Sequence, residues 1–248
     1  MDARSRWDGS QDSTGGAPTL RTVGLPTPAR NIGGRRLPRL PLPLIGRRLR
    51  VPTIVLGGLL LVGLFALPER IQLWPTMPLG KSVVDDWIPF LPWTIWVYLS
   101  EYLFLILAIW FSPDDRRRSD SAYGLVLAAI IGLVIFTLLP TSVMRESPDP
   151  AGVTGFLWRC LFVLDTTGNA LPSLHVANTC LAAIALASRR SLWGVAVVAW
   201  AVLIMLSTLT TKQHYAVDVV GGLLLAAICF VVVRFGVEYR RLEGFFGR

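Results

Sequence analysis

Six apolar runs, each long enough or nearly so to cross a bilayer, account for most of this chain of 248 residues. They lie at roughly 51–68, 92–111, 122–139, 172–187, 192–208 and 215–235. A helix crossing ~30 Å of hydrocarbon needs about 20 residues, with a range of ~17–25. Charged residues make up only 16% of the chain, where a soluble domain carries about 25%. The expected fold is therefore all-α: a polytopic membrane protein built as a six-transmembrane-helix bundle. The fourth run is short and polar at its start. A further apolar stretch at 156–164 is too short to cross and reads as an interfacial or re-entrant piece.

The formal charge of +8 points first to nucleic acid, but its distribution argues otherwise. Residues 1–50 hold ten Arg against Asp2, Asp8 and Asp12, which is +7, so the other 198 residues carry 8 − 7 = +1. A basic tail on a nearly neutral, apolar body suits a membrane protein, and no nucleic-acid partner is expected. The tail is rich in Gly, Pro, Ser and Arg. It reads as disordered, with the stretch from Arg35-Arg36 to Arg47-Arg48 set against anionic membrane lipids. Its Arg pairs ahead of an apolar run resemble an export signal. No small-x-small cleavage site follows, so the first run reads as an uncleaved signal-anchor. The organisation is then a basic cytoplasmic tail at 1–50, a six-helix membrane catalytic domain at 51–238 and a short cytoplasmic tail at 239–248.

Orientation follows from the arginines. With six spans, the tail, Arg116-Arg117-Arg118, Arg189-Arg190 and Arg240-Arg241 all fall on one side, which the charge bias assigns to the cytoplasm. Both termini are then cytoplasmic. The opposite loops, 69–91, 140–171 and 209–214, are close to charge balance. Trp74, Trp87 and Trp93 suit an outer aromatic belt, and Trp110 and Trp193 an inner one. Cys160, Cys180 and Cys229 have neither the number for a disulfide framework nor metal-type spacing. No internal repeat is visible.

Only two histidines and two lysines occur, so their placement is informative. His175 opens the fourth run in Pro172-Ser173-Leu174-His175. His214 opens the sixth in Thr210-Thr211-Lys212-Gln213-His214-Tyr215. Both fall at helix N-termini on the extracytoplasmic side, where free N–H groups and the helix dipole favour an anion such as phosphate. Asp218 follows His214 by four residues, so one helical turn stacks the two side chains. The carboxylate can fix the imidazole tautomer and leave the other ring nitrogen free to attack or to move a proton. Two other readings of these residues stand beside this one. The pair could simply tether the sixth helix, or two His and an Asp could bind zinc, against which Lys212 would repel a cation.

Pro172-Ser173-Leu174-His175, followed by His214-x-x-x-Asp218, resembles the second and third motifs of the type-2 phosphatidic acid phosphatase superfamily. The run Ser207-Thr208-Leu209-Thr210-Thr211-Lys212-Gln213-His214-Tyr215 is closest to its inositol phosphorylceramide synthase-like branch. The resemblance covers roughly residues 85–235, and the six-helix layout matches that family's core. It implies an integral-membrane lipid phosphatase or phosphotransferase acting on a lipid phosphate or phosphodiester at the extracytoplasmic face. In that scheme His214 is the nucleophile that becomes phosphohistidine, and Asp218 orients it. His175 is the acid that protonates the leaving oxygen and then the base for the incoming water or alcohol. Ser173 and the Leu174 N–H hold phosphate oxygens. No metal or other cofactor is implied, since cationic side chains and N–H groups supply the charge stabilisation.

Several positions depart from the family pattern. Leu174 stands where the family has Gly, and Thr208 where its third-motif Arg is expected, which leaves Lys212 as the nearest cation. The family's first motif is absent as written, and Arg145 is the candidate phosphate clamp in its place. Lys81 reads as an interfacial anchor. Glu101, in mid-helix, reads as half of a polar pair between helices. Asp165 and Asn169 fit loop capping or headgroup recognition equally well. Two readings outside enzymology remain: a transporter gated by outer histidines, which would need polar residues continuing through the bilayer, and a non-catalytic scaffold that uses the basic tail.

Overall fold

Runs of Leu, Val, Ile and Ala too long for a strand, in surroundings without water, satisfy their backbone groups only as helices. The computed structural model bears this out. It describes residues 38–241 except 71–72, 147, 149–150, 165–167 and 188–191. Most of the tail, Asp165 and Arg189-Arg190 lie outside the described residues. The eight helices found among the described residues are α1 (Arg50–Arg70), α2 (Val83–Trp87), α3 (Ile95–Phe111), α4 (Asp115–Leu138), α5 (Gly152–Leu164), α6 (Leu174–Leu186), α7 (Leu192–Thr210) and α8 (Ala216–Gly236). Four short strands, β1 (Leu40–Pro43), β2 (Met77–Pro78), β3 (Thr141–Ser142) and β4 (Val237–Arg240), form two parallel pairs, β1 with β4 and β2 with β3.

Five helices, α1, α3, α4, α7 and α8, are long and apolar enough to cross a membrane. Their outward faces carry exposed large apolar residues such as Leu56, Leu103, Val198, Leu224 and Ile228. Exposed apolar surface on this scale requires a non-aqueous surround. The fourth expected run, α6, has only 13 residues, or ~20 Å at 1.5 Å per residue. Its position explains its length. It packs against α3, α4, α7 and α8, so protein rather than lipid surrounds it.

Two apolar clusters meet on α6. One joins Leu125 and Phe136 of α4 to Leu174, Ala177 and Leu181 of α6 and Leu225 and Cys229 of α8. The other joins Phe104 and Ala108 of α3 to Ala182 and Leu186 of α6 and Val197, Ala201 and Ile204 of α7. Small residues at these contacts let the helix backbones approach closely, which is how helices associate where no hydrophobic force acts between them. The stretch expected to be interfacial is α5, longer than its apolar run. Trp158 anchors it to the start of α3, its indole N–H donating to the Pro92 carbonyl at 3.0 Å.

The bundle has two distinct ends. At one, α4 begins well before its apolar run because Asp114 caps it, accepting from the Arg117 N–H at 2.8 Å. Arg118 is buried there and donates to the carbonyls of Ile109, Ile45 and Ser112 and to Asp115. Arg117 reaches the Ala187 carbonyl beyond α6, and Arg116 the Arg234 carbonyl of α8. Pairing of β1 with β4 closes the same end, so the last residues of the expected tail pack onto the bundle. At the other end, β2 pairs with β3, the Leu91 N–H donates to the Thr210 carbonyl, and the Ser173 N–H donates to the Asp218 carbonyl. Every candidate catalytic residue sits at this second end.

Candidate active site

The site is built where α6 and α8 begin. Ser173 caps α6, its hydroxyl accepting from the Val176 N–H at 3.3 Å. Its own N–H reaches the Asp218 carbonyl at 3.1 Å, which joins the two helix N-termini. Gly222 permits the approach: a Cβ there would lie 2.5 Å from the Ser173 carbonyl oxygen. Leu174, the departure from the family's Gly, places its side chain over Gly132 of α4, where a Cβ would lie 3.0 Å from the leucine methyls. The extra side chain at 174 is thus accommodated by a missing one at 132.

The turn from α7 to α8 carries the third-motif residues. It coils around the Thr208 carbonyl, which accepts the N–H groups of both Gln213 and His214 at 3.1 Å. Thr208 itself is buried, its hydroxyl donating to the Met205 carbonyl, so it supplies no charge where an arginine was expected. His214 Nδ1 faces Asp218 Oδ2 at 3.5 Å. That is longer than a hydrogen bond, and catalytic pairs commonly tighten only when substrate binds. Asp218 is fully buried and already accepts the Tyr215 N–H at 2.8 Å. Its Oδ1 and His214 Nδ1 have no hydrogen-bond partner among the described residues.

Lys212 adopts φ +54°, the left-handed region that costs a residue with a side chain on the order of 1–3 kcal/mol. Its ammonium donates to the carbonyls of Asp85 at 2.7 Å and Ile88 at 2.5 Å, so it closes the C-terminal end of α2. Asp85 reciprocates. Its Oδ1 accepts the Ala216 N–H at the start of α8 at 2.7 Å, and its Oδ2 accepts from Ser82. Burial works against the ionised carboxyl. The Ser82 and Ala216 hydrogen bonds and the Lys212 charge outweigh it and hold the group below its ordinary value. Sequence reasoning missed Asp85, although Ser82-x-x-Asp85 is a readable capping box.

His175 is the second residue of α6, and both its ring nitrogens face acceptors. Nδ1 lies 2.6 Å from Glu101 Oε2, and Nε2 lies 3.0 Å from the Tyr98 carbonyl. The Tyr98 ring stacks on the imidazole at 4.0 Å. Glu101 is thus one half of an inter-helix polar pair, as its position suggested, and its partner is a candidate catalytic residue. Arg145 is half-buried and adjoins Met144, whose N–H donates to the Tyr215 hydroxyl at 3.1 Å. A mostly apolar cavity of about 490 Å³, lined by Pro78, Leu79, Lys81, Ser142, Val143, Met144 and Tyr215, borders this contact. Asn169 is buried in a bridge to Thr141, which places it in the loop scaffold.

Two histidine–carboxylate contacts thus lie at helix N-termini inside an apolar bundle. Residues 159–232 match the family model of the PAP2 superfamily. That segment carries Ser173, Leu174, His175, Lys212, His214 and Asp218, while Glu101, Asp85 and Arg145 lie outside it. The match and the apolar helices fit a membrane phosphatase. No curated protein and no solved structure matches the chain.

Proposed function

We propose that this protein is an integral-membrane lipid phosphatase or phosphotransferase that works through a phosphohistidine on His214. The observation that carries the reading is the joined pair of helix N-termini. His214 and Asp218 stand on one, His175 on the other, and the Ser173 N–H to Asp218 carbonyl bond holds the two together. In the first half-reaction His214 Nε2 attacks phosphorus while Asp218 stabilises the charge growing on the ring. The bond to the lipid oxygen breaks, and that oxygen takes the proton from His175 Nε2. In the second, water or an alcohol attacks, gives its proton to His175, and the electron pair returns to His214.

Ser173 and the Leu174 N–H contact phosphate oxygens from the start of α6, where helix N–H groups lack partners within the helix. Arg145 and the remaining ammonium hydrogen of Lys212 add positive charge. The cavity beside Tyr215 suits the first carbons of a lipid. Counting the sheltered α6 as a sixth span, and reading the arginine bias of the opposite end as cytoplasmic, supports a site at the extracytoplasmic face of the plasma membrane with both termini inside. Hydrolysis and transfer share the first half-reaction. The resemblance of the Ser207–Tyr215 run favours transfer to an alcohol acceptor, or a larger phosphodiester substrate.

The test is phosphate release from phosphatidic acid and prenyl diphosphate in proteoliposomes containing EDTA, run beside His214→Ala. Release in the wild type, lowered at least about 10³-fold in the variant, is expected. If intact wild-type protein releases none, labelled phosphatidylinositol with a lipid alcohol tests transfer. Turnover in neither assay, or undiminished turnover by His214→Ala, overturns the reading.

A further inference from the structure

A carboxylate within a membrane helix is costly unless a partner explains it. Glu101 is buried on α3, in a run of seventeen residues that contains no other charged group. Its partner is His175, 74 positions further along the chain and also buried. Both ring nitrogens of His175 lie within hydrogen-bond distance of an oxygen. A neutral imidazole has one N–H and one lone pair. With Nδ1–H directed at Glu101, a bare Nε2 would set its lone pair against the Tyr98 carbonyl oxygen 3.0 Å away. With Glu101 ionised, only a ring with N–H on both nitrogens satisfies both acceptors. Tyr98 and Glu101 are one helical turn apart on α3, so a single helix face supplies the stacking ring, the carbonyl and the carboxylate.

We propose that Glu101 is a positioning residue that keeps His175 loaded as the acid, making the site a pair of histidine–carboxylate dyads, one at each helix N-terminus. The inference rests on the phosphoryl-transfer reading above. Asp218, on α8, faces Nδ1 of the nucleophile in the turn just before it, and Glu101 faces Nδ1 of the acid from a neighbouring helix. When His175 gives its Nε2 proton to the lipid oxygen, Glu101 retains the Nδ1–H. The neutral ring then presents its lone pair at Nε2, ready to accept the proton of the incoming water or alcohol. The Tyr98 carbonyl holds the Nε2 proton until a leaving oxygen takes its place. The family match covers residues 159–232, so this partner comes from outside the matched segment.

The experiment exploits leaving-group chemistry. A lipid alkoxide needs a proton to depart, whereas 4-nitrophenolate does not. Wild type, Glu101→Gln, Glu101→Asp, His175→Ala and His214→Ala are assayed on lipid donors (phosphatidic acid and phosphatidylinositol) and on 4-nitrophenyl phosphate. Glu101→Gln is expected to lower kcat on the lipid donors about 10²–10⁴-fold, the usual worth of general acid catalysis. On the aryl ester the burst of 4-nitrophenolate from the first half-reaction, which needs no acid, falls less than about tenfold, as it does in His175→Ala, and Glu101→Asp recovers part of the lipid activity. His214→Ala is inactive on both classes and shows no burst. A loss of the 4-nitrophenolate burst equal to the loss of lipid turnover in Glu101→Gln means a merely structural role and overturns the proposal, as does unchanged lipid turnover. Wild-type inactivity on every substrate counts against the phosphoryl-transfer reading and this role with it.

A second readout is independent of turnover. With only two histidines in the chain, ¹⁵N-histidine labelling yields two ring spin systems, assigned by the alanine variants. A doubly protonated His175 pattern in the wild type that becomes neutral in Glu101→Gln supports the dyad. A neutral pattern in the wild type overturns it.

Discussion

A single missing methyl group decides whether the N-terminal ends of α6 and α8 can meet. Gly222 allows α8 to pass the Ser173 carbonyl, and a Cβ at 2.5 Å from a backbone oxygen cannot be absorbed by a side-chain rotation. Gly222→Ala is therefore expected to push α6 and α8 apart and break the Ser173–Asp218 bond. Overpacking of this kind costs about 1–3 kcal/mol, so thermal unfolding in detergent should shift downward and turnover should fall by more than the stability loss explains. Leu174 and Gly132 illustrate the same geometry in a tolerant form, since flexible methyls rather than backbone make the contact. At this scale the sequence was partly legible. The His214–Asp218 spacing is read from helix periodicity alone, whereas nothing local marks Gly222 or Glu101 as belonging to the site.

At the scale of elements, α2 is held to the α7–α8 turn by reciprocal caps. Asp85 serves the N-terminus of α8 and Lys212 the C-terminus of α2. A carboxyl whose folded-state value lies below its unfolded one stabilises the fold fully above the unfolded value, and that stabilisation is lost as pH falls through the folded value. Thermal stability should accordingly decline as pH drops below the ordinary aspartate range. Asp85→Asn should be less stable than wild type at neutral pH and should flatten that decline. A pH profile of unfolding midpoints for the two proteins tests this. Lys212 was expected to face phosphate. Its two carbonyl contacts show that it also carries the turn, which accounts for a lysine held at positive φ.

Across the whole molecule, one end of the bundle holds the proposed site and the other holds the chain together. Arg118 is the centre of the second end, with three carbonyls and Asp115 on one buried guanidinium. Arg118→Ala strands those acceptors and should lower stability on the order of 3 kcal/mol, visible as a lower unfolding temperature. Its distance from the site leads us to expect the KM of the remaining folded protein to be unchanged. The arginine triplet read from sequence as a topological signal therefore includes one residue that is a buried clamp. By itself the sequence determined the membrane class, the place of each long helix and the two histidines at helix starts. Those features are written in local periodicity, run length and capping, which a chain carries wherever it packs. Tertiary structure alone decided that a 13-residue helix can stand at the centre, that Glu101 meets His175, and that Asp85 and Lys212 tie α2 to the α7–α8 turn. Such pairings join residues 74 to 131 positions apart, and only the packing of helices brings them within hydrogen-bond range.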